Sequence, residues 1–456
     1  MTIVSPITVG PEPGIAYSRR SSLATMARIV RNPLDAFPPE VFDHRLVVSR
    51  IFGRDRVYVT DPVLIHEALV RNADALDKGQ EIKRVLGPAI GEGLLTADGA
   101  HWRWQRQSMA PAFQHGRLLG LLPAMIVAAE QTRDRWRAAK PGTRFDVGHD
   151  MMVTTFKIIV DTMLSGPGQI DAGRVERSVT DYLQSTNWMF ALALLKAPDW
   201  MPYPGRKRTE AAAAYMRDAV LTMIADRRRE AGAQDDLVAL LLAAADPETG
   251  RQMTDAEVAD NLLTFITAGH ETTAVALGWT FMLLAKHPAI ERRVVDEISA
   301  ITAGAPIAPE HIEALAYTRQ VFQEAMRLYP PAPMIARRVL KPFALAGVTI
   351  EADTMLTVPI YALHRHAAIW DDPDTFDPDR FAPEPTKARH RYAFMPFGAG
   401  ARICIGSAFA TMEAVAILAV LLQTVRLEAA GPMPKALMKV TLRPAETVLM
   451  RVTPRL

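Results

Sequence analysis

A 456-residue chain with a single cysteine cannot close a disulfide on itself. Nor can it assemble a zinc or iron–sulfur centre from several thiolates. Cys404 is left with four uses: an inert core thiol, a nucleophile, a redox sensor or a single thiolate ligand. Charge of one sign is also lacking. The 52 basic side chains meet 50 acidic ones, for a net charge of +2, which gives no general attraction for nucleic acid. No N-terminal apolar run has the length of a signal-peptide core, and no stretch elsewhere is expected to reach the length of a membrane span. The longest, Ala274 to Ala285, reads as buried helix. A cytoplasmic protein is the expectation. Repeats, long linkers and a Gly-rich dinucleotide fingerprint are missing too. One domain over residues 1–456 is therefore expected.

What is present is an ordinary globular composition, with 49% hydrophobic and 22% charged residues. The Pro- and Gly-rich first thirty residues read as an extended segment. Residues 117–139 and 211–231 carry the amphipathic spacing of helices, with Arg227–Arg229 as a solvated helix end. Residues 342–363 alternate and read as a short strand pair, and residues 439–454 read similarly. The fold class is thus mainly α with a minor β region. One helix stands out. Thr254 and Glu257 have capping-box spacing, and Pro288 closes the segment. Its roughly 30 residues would span about 45 Å. Its middle, "AGHETT" (Ala268–Thr273), sets a glycine and polar groups among apolar neighbours. That pattern fits either a tolerated kink or a helix deformed where it passes a bound group.

Cys404 lies in "FMPFGAGARICIG", Phe394 to Gly406. Glycines let the backbone wrap close to a sulfur and turn N–H groups on its charge. Phe397 can supply a dry wall, and Arg402 can meet an anion. The order Phe397, Gly398, Gly400, Arg402, Cys404, Gly406 resembles the haem-binding signature of the cytochrome P450 family. That resemblance implies a cytochrome P450 fold, with the long helix crossing the haem. It implies haem b with Cys404 as axial thiolate, held by Phe397, Gly398, Arg402, Gly406 and Ala268. "AGHETT" resembles the oxygen-activating segment, with Glu271 and Thr272 as the acid–alcohol pair that delivers protons. "EAMR" followed by "LYPPAP", then "PDRF", resembles the next family elements. These imply a structural Glu324–Arg327–Arg380 network, with Asp379 where Glu is commoner. Trp102 and Arg106, one helical turn apart, and Arg337 fall at propionate-binding positions. Arg338 competes with Arg337, and His101 is either part of that site or exposed.

Stretches that wall the pocket in this family supply Leu86, Leu94, Met189, Phe190, Leu194, Phe265, Met334, Ile335 and Met438. They imply an apolar small-molecule substrate. The implied reaction is a monooxygenase's, with one oxygen atom from O2 entering a C–H bond. The resemblance implies a monomer without a fused reductase, so electrons would come from a separate ferredoxin or flavodoxin with an NAD(P)H-dependent reductase. Arg103, Arg117, Lys387, Arg389 and Arg391 could form its docking face, or simply a solvated one. The alternatives are an H2O2-dependent peroxygenase and a non-catalytic haem-thiolate sensor. Retention of Glu271 and Thr272 weighs against both.

Overall fold

The helix that the capping signals announce is the axis of the molecule. The computed structural model describes residues 14–18, 20–140, 142–164, 171–229, 236–246 and 249–455. In it this central helix runs unbroken over Asp255–Lys286, 32 residues or about 48 Å. The Glu257 N–H donates to the Thr254 hydroxyl, and the Thr254 N–H donates back to the Glu257 carboxylate at 2.9 Å. The helix stops at His287, before Pro288 opens the next helix, Pro288–Thr302. Every residue from Ala274 to Leu284 is buried, as the apolar run predicts.

Gly269 does not interrupt the helix. A Cβ there would stand 2.9 Å from the Ile159 side chain, so the glycine admits the adjoining helix Val147–Met163. The Thr155 hydroxyl of that helix donates to the His270 carbonyl at 3.0 Å.

The helix Ser407–Thr424 follows the cysteine directly. With 18 residues and a mean hydropathy of 1.6, it is long and apolar enough by composition to cross a bilayer. This corrects the expectation that no stretch reaches that length. Residues Glu413–Leu422 are all buried, and the helix packs on His115–Arg137 and Ala316–Leu328. A helix in the middle of a large core is apolar all round for the same reason as one in lipid.

The β region is small and dispersed. A six-stranded sheet has the order Ile15–Ser18, Leu46–Ile51, Arg54–Val59, Met355–Val358, Ile335–Val339, Leu76–Asp77. Phe343–Leu345 and Val348–Ile350 pair as a hairpin, as the alternation of 342–363 suggests. Residues 439–454 do not pair with each other. Leu442–Pro444 turns back on Ala436–Met438, whereas Leu449–Pro454 lies between Val425–Ala429 and Arg144–Asp146.

Two further expectations need correction. The first thirty residues are not extended throughout: Ser22–Arg31 is a helix, and residues 1–13 lie outside the described residues. Arg227 is not part of a solvated helix end. It is buried and pairs with buried Asp236 at 2.5 Å, while Arg228 and Arg229 are exposed.

Candidate functional site

The cysteine loop is shaped by its glycines. Gly398 and Gly400 take φ of +81° and +67°, a region that side-chain-bearing residues avoid. At Gly400 a Cβ would come within 2.6 Å of the Leu69 carbonyl oxygen. The Cys404 N–H closes the loop on the Phe397 carbonyl at 2.8 Å. The cysteine has open surface where it lines a cavity of about 430 Å³, although its sulfur lies deep within the fold. Burial of the sulfur among protein atoms pushes the thiol up, and the Gly406 N–H and the Arg106 charge draw it back.

A buried network holds this loop from behind. Arg327 forks onto Glu324 at 2.6 and 2.7 Å, and both side chains are fully buried. The remaining Arg327 donors reach the carbonyls of His364, Pro373 and Thr375 at 2.8, 2.7 and 3.0 Å. His364 in turn accepts the Met395 N–H at 3.0 Å through Nε2. Burial holds that imidazole down to about 3, so it stays neutral and keeps the lone pair that the bond needs. Arg380 stands further off, 3.6 Å from Glu324, and donates to the Asp372 carbonyl.

The middle of the central helix supplies another part of the cavity wall. Phe265, Ala268, Glu271 and Thr272 all line the cavity. The Thr272 hydroxyl donates to the Ala268 carbonyl at 2.8 Å, so it can offer only lone pairs to other partners. Glu271 is buried. One of its oxygens accepts from the Thr441 hydroxyl at 2.6 Å and from Arg443.

Cations collect at one end. Trp102, Arg106, Arg337 and Arg402 all line the cavity. Arg402 lies over the Trp102 ring and bonds the Ala97 carbonyl and Asp98 at 2.8 and 2.7 Å. Arg106 donates to the Ile403 carbonyl at 2.8 Å. Arg337 and Arg338 are neighbours on one strand, so they point to opposite faces. Arg337 lines the cavity, where burial lowers it to about 10. Arg338 turns away and pairs with Asp77 at 2.7 Å. His101 is absent from the lining and contacts Gln105.

Lys78 is a cavity residue that the sequence reading missed. It is buried, and burial together with Arg337 and Arg402 holds its amine well below its usual range. No local pattern marks it. It lines the cavity because Leu76–Asp77, just before it, pairs with the strand that carries Arg337.

Of the expected pocket residues, Leu86, Leu94, Phe190, Phe265, Met334, Ile335 and Met438 line the cavity. Met189 and Leu194 do not. Both are buried in the core, on the same helix, Thr186–Leu194, that presents Phe190. Phe113, not anticipated, stacks on Phe265 with ring centroids 5.4 Å apart. Of the five surface cations, Arg389 is tucked over the Trp370 and Phe381 rings, while Arg103, Arg117, Lys387 and Arg391 are exposed.

Among the described residues no cluster of His, Cys, Asp or Glu could hold a metal ion unaided. A lone sulfur, an apolar chamber and a cationic end together suit a flat apolar group that brings its own ring ligands and carries carboxylates.

Comparison with known proteins agrees. The cytochrome P450 family model matches residues 45–450. Cyclooctat-9-en-7-ol 5-monooxygenase of Streptomyces melanosporofaciens is 33% identical, over 92% of this chain and 90% of its own. Pentalenene oxygenase of Streptomyces avermitilis is also 33% identical, over 87% of each chain. A match of this extent, with the cysteine loop and the Glu271–Thr272 stretch lining one chamber, settles the family: the chain belongs to the cytochrome P450 family, and it is a monooxygenase of that family.

Proposed function

We propose that this chain uses haem b, bound through Cys404, to insert one oxygen atom from O2 into a C–H bond of a neutral terpene-class hydrocarbon or its mono-alcohol. The observation that carries the reading is the shared chamber. Cys404 and Thr272 both line it, together with apolar side chains such as Phe113, Phe265, Ile335 and Met438. Trp102, Arg106, Arg337, Arg402 and Lys78 would hold the two propionates. The haem supplies O2 activation, and a thiolate ligand favours O–O cleavage.

The chain's own residues do the rest. The apolar walls seat the substrate and keep bulk water out. Thr272, with its proton committed to Ala268, accepts a hydrogen bond from a water or a protonated partner and so fixes a proton donor near the reacting centre. Glu271 is the acid that hands protons inward from solvent. A peroxygenase or a sensor has no use for that pair.

The substrate class is supported by two relatives whose names specify an oxygenase of pentalenene and a 5-monooxygenase of cyclooctat-9-en-7-ol, an unsaturated hydrocarbon and an unsaturated alcohol. The apolar lining suits both. Electrons are assigned to a separate ferredoxin or flavodoxin with its NAD(P)H-dependent reductase, which the exposed Arg103, Arg117, Lys387 and Arg391 suit electrostatically.

The test has two parts. The reduced protein with CO should give the red-shifted Soret band of a thiolate ligand. Cyclic terpene hydrocarbons should then shift the ferric spin state and draw product-linked NAD(P)H consumption through surrogate partners. Spin shifts from fatty acids alone would overturn the substrate class. Turnover with H2O2 but not with NAD(P)H would overturn the monooxygenase reading.

A further inference from the structure

The terminal hairpin, Ala436–Met438 paired with Leu442–Pro444, does more than wall the cavity. Its turn presents Met438, Lys439, Val440 and Thr441 to the chamber. The same few residues grip Glu271. The Thr441 hydroxyl donates to Glu271 Oε1 at 2.6 Å, and Arg443 pairs with that same oxygen. Glu271 Oε2 accepts no hydrogen bond among the described residues, and Glu271 lines the cavity. One oxygen is therefore anchored and the other is left available.

The hairpin is itself fixed to the helix that carries the acid. The Trp279 indole N–H, two turns along the central helix, donates to the Leu442 carbonyl at 2.9 Å, and Trp279 stacks on Tyr329 with centroids 3.8 Å apart. On the outer side, Asn32 accepts the Met438 N–H at 3.0 Å and donates to the Ala436 carbonyl at 3.1 Å. A buried carboxylate without such a partner would swing toward whatever donor it could find.

We propose that Arg443, assisted by Thr441, is the positioning residue for Glu271. It holds one carboxylate oxygen so that the other stays aimed at the water that passes protons toward Thr272. The turn that contacts substrate and the grip on the acid are then one rigid piece, so proton delivery is tied to the seat of the substrate. The proposal rests on the reading of Glu271 as the proton-carrying acid. It adds that the acid works only when clamped from a hairpin 172 residues away in sequence.

The experiment uses the full-length haem-loaded protein with surrogate redox partners and one accepted substrate. The readouts are product and H2O2 per NAD(P)H, and the solvent isotope effect on NAD(P)H oxidation. Arg443→Ala should keep the CO band and the substrate spin shift, which shows that fold and pocket survive. Its product yield per NAD(P)H should fall between about 10- and 100-fold, with H2O2 in its place and a larger isotope effect. Arg443→Lys should recover most of the yield, and Thr441→Val should give a milder loss. Glu271→Gln alone should uncouple, and adding Arg443→Ala to it should cost little more, because two members of one unit do not add.

If Glu271→Gln uncouples and Arg443→Ala does not, the positioning role is overturned while the relay reading stands. Additive losses in the double variant would overturn it likewise. If Glu271→Gln leaves coupling intact, the relay reading fails and takes this proposal with it. Should Arg443→Ala lose its haem, the Arg443→Lys and Thr441→Val arms carry the same comparison.

Discussion

Cys404 and Thr272 line the same chamber, and each can be changed by a near-isosteric swap. Serine fits the loop as cysteine does, because Gly398 and Gly400, not the thiol, set the backbone path. An alkoxide is a poor ligand at neutral pH, however. Cys404→Ser should fold and lose the red-shifted band of the reduced CO complex. Retention of that band would remove Cys404 as the ligand. Thr272→Ala is gentler still, since alanine suits a helix interior. It should bind haem, O2 and substrate and continue to oxidise NAD(P)H. What it should lose is ordered proton delivery, so product per NAD(P)H falls and H2O2 rises. The ratio of the two in wild type and mutant decides the matter, and an unchanged ratio would reduce the hydroxyl to its bond with Ala268.

At the scale of the element, the central helix depends on how it starts. Glu257 closes the capping box and also takes Arg251 in a fork at 2.9 and 2.8 Å. The Arg251 bonds outweigh burial, and with Thr254 they hold the Glu257 carboxyl down to about 2. Unfolded, it would titrate near ~4.3. A carboxylate depressed in the folded state stabilises fully above that value and loses its contribution as pH falls toward 2. Glu257→Gln should therefore cost about 1 kcal/mol at pH 7, the usual worth of a cap. Its melting midpoint should converge on wild type as pH falls from about 4.3 toward 2. A gap of constant size over that range would show that Glu257 contributes packing and not charge.

For the whole molecule, the critical joint is the one behind the cysteine loop. Arg327 ties Glu324, the carbonyl of His364 and the chain at Pro373 and Thr375 into one block, and His364 passes that restraint to Met395 at the start of the loop. Arg327→Ala leaves Glu324 fully buried without its fork, a loss of about 3–5 kcal/mol. The expected outcome is poor expression and low haem content, since the loop that carries Cys404 loses its backing. Normal haem content and an unshifted thermal midpoint would contradict this placement of the load. Arg380, at 3.6 Å from Glu324, should be the milder deletion of the two cations.

The sequence determined by itself whatever is encoded within one or two turns of chain. The cysteine loop is legible because its geometry is local: glycines at fixed steps from one sulfur dictate the backbone path. The central helix is legible because its cap, its apolar run and its stop lie along one segment. The Glu324–Arg327 pair is legible because three residues place two side chains on one helix face. Other features were decided only when distant segments met. Arg337 was separated from Arg338 by the pairing of their strand in the sheet, and Lys78 reached the cavity through that same sheet. Phe190 lines the chamber while Met189 and Leu194 of the same helix are buried in the core, a division that only the packing around that helix decides. The strands at Leu442–Pro444 and Leu449–Pro454, adjacent in sequence, went to different sheets. Glu271 is legible as an acid in a telling motif, yet its partner Arg443 is not, since a contact across 172 residues leaves no periodic trace. Such pairings depend on how the helices and sheets bury their faces against one another, and no short window of sequence holds both sides of that interaction.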